Sequence, residues 1–247
     1  MSVKPINIGV VGVGHLGIHH VKHYANISNV NLLGIYDPDV KRSNYVAKKY
    51  KVVAFQSLKK LIKNVDALSI VTPTPNHYKT AKMCIENKKH VFIEKPITAT
   101  IKQANKLLDL SKNNSTIIQV GHIERLNPAL MALEPYYINP KFIEIQRLAP
   151  FTVRGTDVPV VLDKMIHDID ILLSLVKSEV ASLEATGMSI ITNSLDMAHA
   201  RIQFKNGTTA SLMSSRIAQN DGRKVKLFQK NLYSTIDLLK GSTEIYK

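Results

Sequence analysis

The sequence predicts an α/β protein in two parts: an N-terminal domain built on a doubly wound parallel sheet, then an α+β domain on an open, mainly antiparallel sheet. Three observations lead there. From Ile6 to His122, short β-branched runs alternate with amphipathic stretches, the pattern of strands buried on both faces and joined by crossover helices. A glycine-rich loop directly follows the first of those runs. After Glu124 the texture changes to one helix and then long alternating strands, as expected of a sheet with one covered face.

The first strand is Ile6–Val11, and the loop from Gly12 to Gly17 leads into a helix over residues 15–27. Further strands are predicted at 31–36, 67–71, His90–Ile93 and 116–120. Helical spacing marks residues 41–50, 57–62, 76–87 and Ile101–Asn113, with Thr98 or Thr100 as the cap of the last. Right-handed crossovers place these helices on both sheet faces. In the second domain a helix is predicted over 162–176, then strands at 198–204 and 208–214 joined across Asn206-Gly207, a strong hairpin signal between alternating runs. Strands at 224–229, 233–238 and 244–246 complete that sheet, and the boundary near Ile123 gives domains 1–123 and 124–247.

Composition sets bounds on function. A chain of 247 residues with 45% apolar content can bury two modest cores. Its single cysteine, Cys84, excludes an intramolecular disulfide and a cysteine-rich zinc site, so a reducing, cytoplasmic setting is expected. The apolar run 6–13 is too short to cross a bilayer and flows into glycines, so it reads as a strand, not a signal peptide, and no membrane association is expected. The net charge of +14 comes with lysines scattered over helix faces (Lys48, Lys49, Lys51, Lys59, Lys60, Lys63) and no interleaved aromatics. That is a solvated surface, not a nucleic-acid footprint, although its field would concentrate an anionic small-molecule substrate.

Gly12-Val13-Gly14-His15-Leu16-Gly17 stands between a strand and a helix, where glycines permit a tight turn and bring pyrophosphate close to the helix N-terminus. This is the Rossmann arrangement. Asp37 ends the second strand twenty residues after Gly17, where a carboxylate accepts from adenosine ribose hydroxyls and repels a 2′-phosphate, favouring NAD over NADP. Asp37-Pro38-Asp39 is also a plausible plain turn. Thr72-Pro73-Thr74-Pro75-Asn76-His77 closes the next main strand, so Thr72, Asn76 and His77 are candidate cofactor contacts, with a proline-punctuated helix cap as the alternative. His15, His19 and His23 recur every four residues as metal ligands on a helix do, but no neighbouring carboxylate or cysteine completes a set. No metal is expected, and His15 is better placed to meet cofactor phosphate.

Glu94-Lys95-Pro96 ends the strand His90–Ile93. Pro96 keeps Lys95 out of helical geometry, which would direct it from the carboxyl edge of the sheet into the crevice between domains. A partly desolvated lysine there can exchange a proton, whereas an ordinary strand-end lysine would be solvated and inert. Asp163, His167 and Asp170 fall at i, i+4 and i+7 of an otherwise apolar helix and so share a face. Such a stripe either lines a wet, functional cavity or faces solvent.

The ordered set of glycine loop, Thr-Pro-Thr-Pro-Asn-His, Glu-Lys-Pro and Asp163-Lys164-Met165-Ile166-His167-Asp168-Ile169-Asp170 resembles the Gfo/Idh/MocA oxidoreductases. The resemblance implies NAD-dependent oxidation of a ring hydroxyl of a sugar, the hydride leaving the carbon that bears it and the proton leaving the oxygen, with Lys95, His167 and Asp163 as the catalytic group. It also implies cofactor contacts at Glu94 and Lys95 and a substrate-side or structural role for Asp170. Gly121-His122-Ile123-Glu124-Arg125-Leu126-Asn127-Pro128 and Arg147-Leu148-Ala149-Pro150-Phe151 ahead of Arg154-Gly155 resemble the UDP-N-acetylglucosamine 3-dehydrogenase branch. Arg125, Asn127, Arg147 and Arg154 are therefore candidate contacts to a nucleotide sugar, since arginine binds diphosphate bidentately and asparagine reads hydroxyls. Each arginine has a surface ion pair as its alternative. The same site on an uncharged substrate would make a polyol or inositol dehydrogenase, and a nucleotide-binding protein without catalysis is the reading from another class. The resemblance further implies a homo-oligomer, and a second domain longer than the one that ends here at Lys247.

Overall fold

The computed structural model describes residues 4–153, 156 and 158–247. It divides into two compact units, Met1–Gly121 and His122–Lys247.

In the first unit, strands β1 (Ile6–Val11), β2 (Val30–Tyr36), β3 (Val53–Ala54), β4 (Ala67–Ile70), β5 (His90–Ile93) and β6 (Ile118–Val120) form a sheet in the order β3-β2-β1-β4-β5-β6. Every neighbouring pair is parallel. Helices α1 (His15–Tyr24), α2 (Val40–Tyr50), α3 (Leu58–Asn64), α4 (Thr74–Glu86) and α5 (Ile101–Asn113) connect them. The strand order reverses between β1 and β4, which makes the carboxyl end of that pair the ligand crevice of such a sheet. Alternation along β1 sends Val10 to one apolar layer with Ile35, Val21 and Val46, and Val11 to the other with Leu68, Ile70 and Ile93. Cys84 lies in the second layer, where burial pushes its thiol up to about 12 and leaves it unreactive.

Local chemistry sets the helix starts. Asp39, Ser57 and Thr100 accept from the backbone N–H three residues on. Thr98 is not a cap; its hydroxyl donates to Thr100 O at 2.9 Å. Helix α4 begins at Thr74, two residues before the sequence spacing suggests, because Pro75 has the fixed φ a first helical turn accepts. Strand β3 has two residues, too few to show a period.

The second unit opens with a 3-10 turn, Ile123–Leu126, and helix α6 (Pro128–Met131). It continues with β7 (Phe142–Leu148), a π-helical turn Val161–Met165 running into α7 (Ile166–Leu175), then β8 (Val180–Met188), β9 (Met197–Phe204), β10 (Thr209–Ser215), β11 (Gly222–Gln229), β12 (Leu232–Asp237) and β13 (Ser242–Tyr246). The strand order is β13-β12-β11-β7-β10-β9-β8, with β7 and β10 parallel and all other neighbours antiparallel. The β9–β10 hairpin turns through Asn206-Gly207, with Gly207 at φ +84°. Ile171 and Leu172 of α7 share one core with Ile143, Ile145, Ala200, Leu212 and Val225 of the sheet; burying each large side chain contributes about 1.5–3 kcal/mol.

Strands β7 and β8 were not expected. β7 buries Ile143, Ile145 and Arg147, so its inward row ends in a charge where an apolar residue would have marked a strand. β8 is exposed along its whole length at the sheet edge, so it lacks the burial period that reveals a strand. Among the described residues, no helix is long and apolar enough to cross a membrane.

Candidate active site

The glycine loop is closed on one side and open on the other. Gly12 has φ +85°, and a Cβ there would lie 2.8 Å from Val71 O. A Cβ at Gly17 would collide with Gly12 O, whereas one at Gly14 would meet nothing within 4 Å. The first turn of α1 has no side-chain cap on Gly14, so its N–H groups suit an anion. His15 and Leu16 are exposed on that turn, and the His15 ring meets His19 edge-on with centroids 5.5 Å apart.

Asp37 is 7% exposed and braces the loop. Its Oδ2 accepts from Val13 N at 2.8 Å and its Oδ1 from Asp39 N at 2.9 Å, and each carboxylate oxygen has a further lone pair for a hydroxyl donor. Arg42 stands nearby, with Nη2 3.2 Å from Asp39 and Nη1 3.9 Å from Asp37.

The turns after β4 and β5 bring the other motifs of this unit together. Thr72 Oγ1 is buried and has no hydrogen-bond partner among the described residues, so a ligand at the carboxyl edge of β4 would satisfy it. Asn76 is exposed in the first turn of α4, and His77 beside it is 1% exposed. The His77 ring is engaged at both nitrogens, Nδ1 with Pro96 O at 2.8 Å and Nε2 with Thr72 O at 2.7 Å. It therefore meets backbone where sequence alone suggested cofactor. Glu94 Oε1 lies 3.0 Å from His20 Nε2, and His20 Nδ1 lies 2.9 Å from Ser69 Oγ. Lys95, half-buried, follows in a turn whose Lys95–Pro96 peptide is cis.

In the second unit, Asp163 lies in the π turn and His167 in the first turn of α7, both half-buried. Single π turns within helices recur at functional sites. Asp163 Oδ2 is 3.4 Å from Lys164 Nζ. The segment entering this turn is anchored by Arg216, which donates to Val158 O at 3.0 Å and to Asp196 Oδ1 at 2.9 Å. Burial works against an ionised Asp196, but bonds from Thr192 N and Oγ1, Ile190 N and Ile191 N outweigh it and hold the carboxyl far below the usual range.

The remaining candidates are engaged with one another. Arg125 forks onto Asp170 through Nε at 2.7 Å and Nη2 at 2.6 Å, while its side chain stays 54% exposed. Asn127 accepts from Ala129 N and donates to Glu124 Oε2 and Leu238 O. Arg147 is 3% exposed and reaches Asp168 through Nε at 2.8 Å and Glu124 through Nη1 at 3.0 Å. Its guanidinium serves a buried ion network, in place of the substrate contact suggested by sequence. Arg154 lies outside the described residues.

Asp168 and Glu124 are the partners that sequence reading passed over. Burial lifts the Asp168 carboxyl to about 6, against the opposing pull of Arg147 and Ser214. A charged residue on the inward side of an apolar helix was the available signal, since such a group requires a buried partner. His20 and Ser69 were also missed, because nothing in one sequence links His20 to Glu94, 74 positions away.

Comparison with known proteins agrees with these motifs. Residues 6–122 match the family described as "Oxidoreductase family, NAD-binding Rossmann fold", and residues 150–230 match "GFO/IDH/MocA C-terminal domain". UDP-N-acetylglucosamine 3-dehydrogenase of Acidithiobacillus ferrooxidans is 37% identical over 239 residues, 96% of this chain and 76% of that protein. The chain belongs to the GFO/IDH/MocA oxidoreductase family. A solved structure of that relative superposes with a TM-score of 0.93 at 36% identity, covering 99% of this chain and 81% of that one. Myo-inositol 2-dehydrogenase of Thermotoga maritima is 26% identical, with 95% of this chain matched to 78% of it. As a member of this family the chain is an NAD-binding dehydrogenase with a Rossmann domain and a mostly antiparallel C-terminal sheet. The open Gly14 side of the loop, the unsatisfied Thr72 hydroxyl and the spare lone pairs of Asp37 fit a dinucleotide.

Proposed function

We propose that this chain is an NAD-dependent dehydrogenase that oxidises a ring hydroxyl of a nucleotide sugar of the UDP-N-acetylglucosamine type. The observation that carries the reading is the match along 96% of the chain to a UDP-N-acetylglucosamine 3-dehydrogenase. Gly12, Gly14, His15, Leu16 and Gly17 would hold the pyrophosphate, Asp37 the adenosine ribose, and Thr72, Asn76 and the Glu94-Lys95 turn the nicotinamide half. The nicotinamide supplies the hydride acceptor. His167 takes the proton of the substrate hydroxyl, directly or through Lys95, and Asp163 orients and tunes the pair. Asp37 favours NAD over NADP because a carboxylate repels a 2′-phosphate.

Arg125 suits an anionic substrate, since its fork onto Asp170 uses Nε and Nη2 and leaves the Nη1 edge for a diphosphate oxygen. Arg154 is the second candidate for that charge. Arg147 and Asn127 act by holding this scaffold in place. The inositol dehydrogenases among the relatives support a second reading, oxidation of an uncharged polyol at the same site. The stripe Phe142, Phe228, Tyr233 and Tyr246 across β7, β11, β12 and β13 supports a homo-oligomer, which sedimentation velocity reads directly. A lone, buried cysteine supports a cytoplasmic setting.

The test is thermal unfolding with NAD, NADP, and NAD plus UDP-N-acetylglucosamine, with NADH absorbance followed in the same wells. A rise with NAD, a further rise with the nucleotide sugar, and NADH formation are expected. NADH formed from inositol but not from the nucleotide sugar would replace the first reading with the second. Stabilisation without NADH from any substrate would indicate binding without catalysis.

A further inference from the structure

The flanks of Lys95 are held from two sides by imidazoles that neither the family motifs nor the charge pattern assigns to it. On one flank, His20 of α1 bridges Ser69 of β4, at 2.9 Å from Nδ1, to Glu94, at 3.0 Å from Nε2. On the other, His77 of α4 bridges Thr72 O, at 2.7 Å from Nε2, to Pro96 O, at 2.8 Å from Nδ1. Glu94 and Pro96 are the residues immediately before and after Lys95. Both rings are withdrawn from solvent: the His20 side chain is 17% exposed, its partner Glu94 is 13% exposed, and His77 is 1% exposed. The two partners of His77 are both backbone carbonyl oxygens.

Each ring also ties Lys95 to a loop that would hold the cofactor. His20 lies on the helix opened by the glycine loop, and His77 lies in the first turn of the helix opened by the Thr72 turn. We propose that His20 and His77 are positioning residues that clamp the Glu94-Lys95-Pro96 turn from both sides and fix the Lys95 ammonium for proton exchange. The proposal rests on the dehydrogenase reading for its kinetic consequences and on geometry alone for the placement of Lys95. A shift of about 1 Å in a reacting group costs on the order of 10²-fold in rate, so a clamp of this kind matters even though neither ring touches substrate.

The two nitrogens of each ring can be tested separately, because an asparagine amide reaches about as far as Nδ1 and a glutamine amide about as far as Nε2. His20→Asn keeps the Ser69 contact and loses Glu94, whereas His20→Gln keeps Glu94. For His77 the assignment is crossed: His77→Gln keeps Thr72 and loses Pro96, whereas His77→Asn keeps Pro96. The expected result is a fall in kcat on the order of 10²-fold in His20→Asn and His77→Gln and at least several-fold less in His20→Gln and His77→Asn, with melting temperatures alike within each pair. A second measurement needs no turnover. After reductive methylation with 13C-formaldehyde, the Lys95 resonance, assigned by its loss in Lys95→Arg, is expected to move towards that of solvated lysines in the same two variants. Equal behaviour of both variants at each position, in rate and in resonance, would overturn the clamp. If the wild-type chain forms no NADH yet the resonance shows the crossed pattern, the clamp stands and the dehydrogenase reading falls.

Discussion

Replacing Arg147 by methionine separates a substrate-binding arginine from a structural one. Its side chain is 4% exposed and stands between two carboxylates, Asp168, exposed by 1%, and Glu124, exposed by 10%. Removing the cation from such a buried set costs about 3–5 kcal/mol, mainly because Asp168 is left uncompensated. The cost depends on pH in a definite direction. The folded-state pKa of Asp168, about 6, lies above the ordinary 3.8. Its protonated form therefore favours the folded chain, and that contribution is complete below 3.8 and lost as pH rises through about 6. At about 1.4 kcal/mol per pH unit, the interval amounts to roughly 3 kcal/mol.

Without Arg147, ionising Asp168 becomes harder still, so the gap between wild type and Arg147→Met widens with pH. The expected gap in unfolding free energy is about 1–2 kcal/mol at pH 5, where the loss falls on Glu124, which keeps Arg223 at 3.3 Å, and about 3–5 kcal/mol at pH 8. Urea denaturation followed by far-ultraviolet circular dichroism at the two pH values measures it. A gap below 1 kcal/mol at both pH values, accompanied by a raised KM for the nucleotide sugar, would refute the structural role and return Arg147 to the substrate site.

Lys95→Met is expected to abolish NADH formation with little change in NAD affinity by calorimetry; full activity would remove Lys95 from the mechanism. Gly17→Ala would drive a methyl group into Gly12 O, and calorimetry is expected to show NAD binding weakened at least tenfold. Asp37→Asn removes the charge that repels a 2′-phosphate, so the ratio of NAD to NADP affinity is expected to fall; an unchanged ratio would place cofactor choice elsewhere, with Arg42 the next residue to test. The lowered pKa of Asp196 means that its contribution to stability is present above the ordinary aspartate value and is lost as pH falls through the folded-state value. Asp196→Asn should therefore lower the melting temperature at pH 7 and narrow its difference from wild type towards pH 3, as read by scanning calorimetry.

Much of the first unit was legible because its signals are local. A strand buried on both faces must be a continuous apolar run, a φ of +85° at Gly12 requires glycine, and a phosphate-binding loop must sit between a strand and a helix. The hairpin at Asn206-Gly207 was legible for the same reason. Strands β7 and β8 were not: one buries an arginine in its inward row, and the other lies exposed at an edge, so neither carries the period that marks a strand.

The chemistry of the candidate site divides along the same line. The amino-acid sequence by itself identified which residue types could bind a dinucleotide and exchange a proton, since Gly12-to-Gly17, Asp37, Lys95, Asp163 and His167 stand in recognisable local settings. Only the tertiary structure decided how the side chains are employed. It spent Arg147 on Asp168 and Glu124, forked Arg125 onto Asp170, turned Glu94 towards His20 and set His77 between two carbonyls. The physical reason is that a buried charge or donor must find a partner at hydrogen-bond distance, and packing brings together residues as far apart as His20 and Glu94, 74 positions distant.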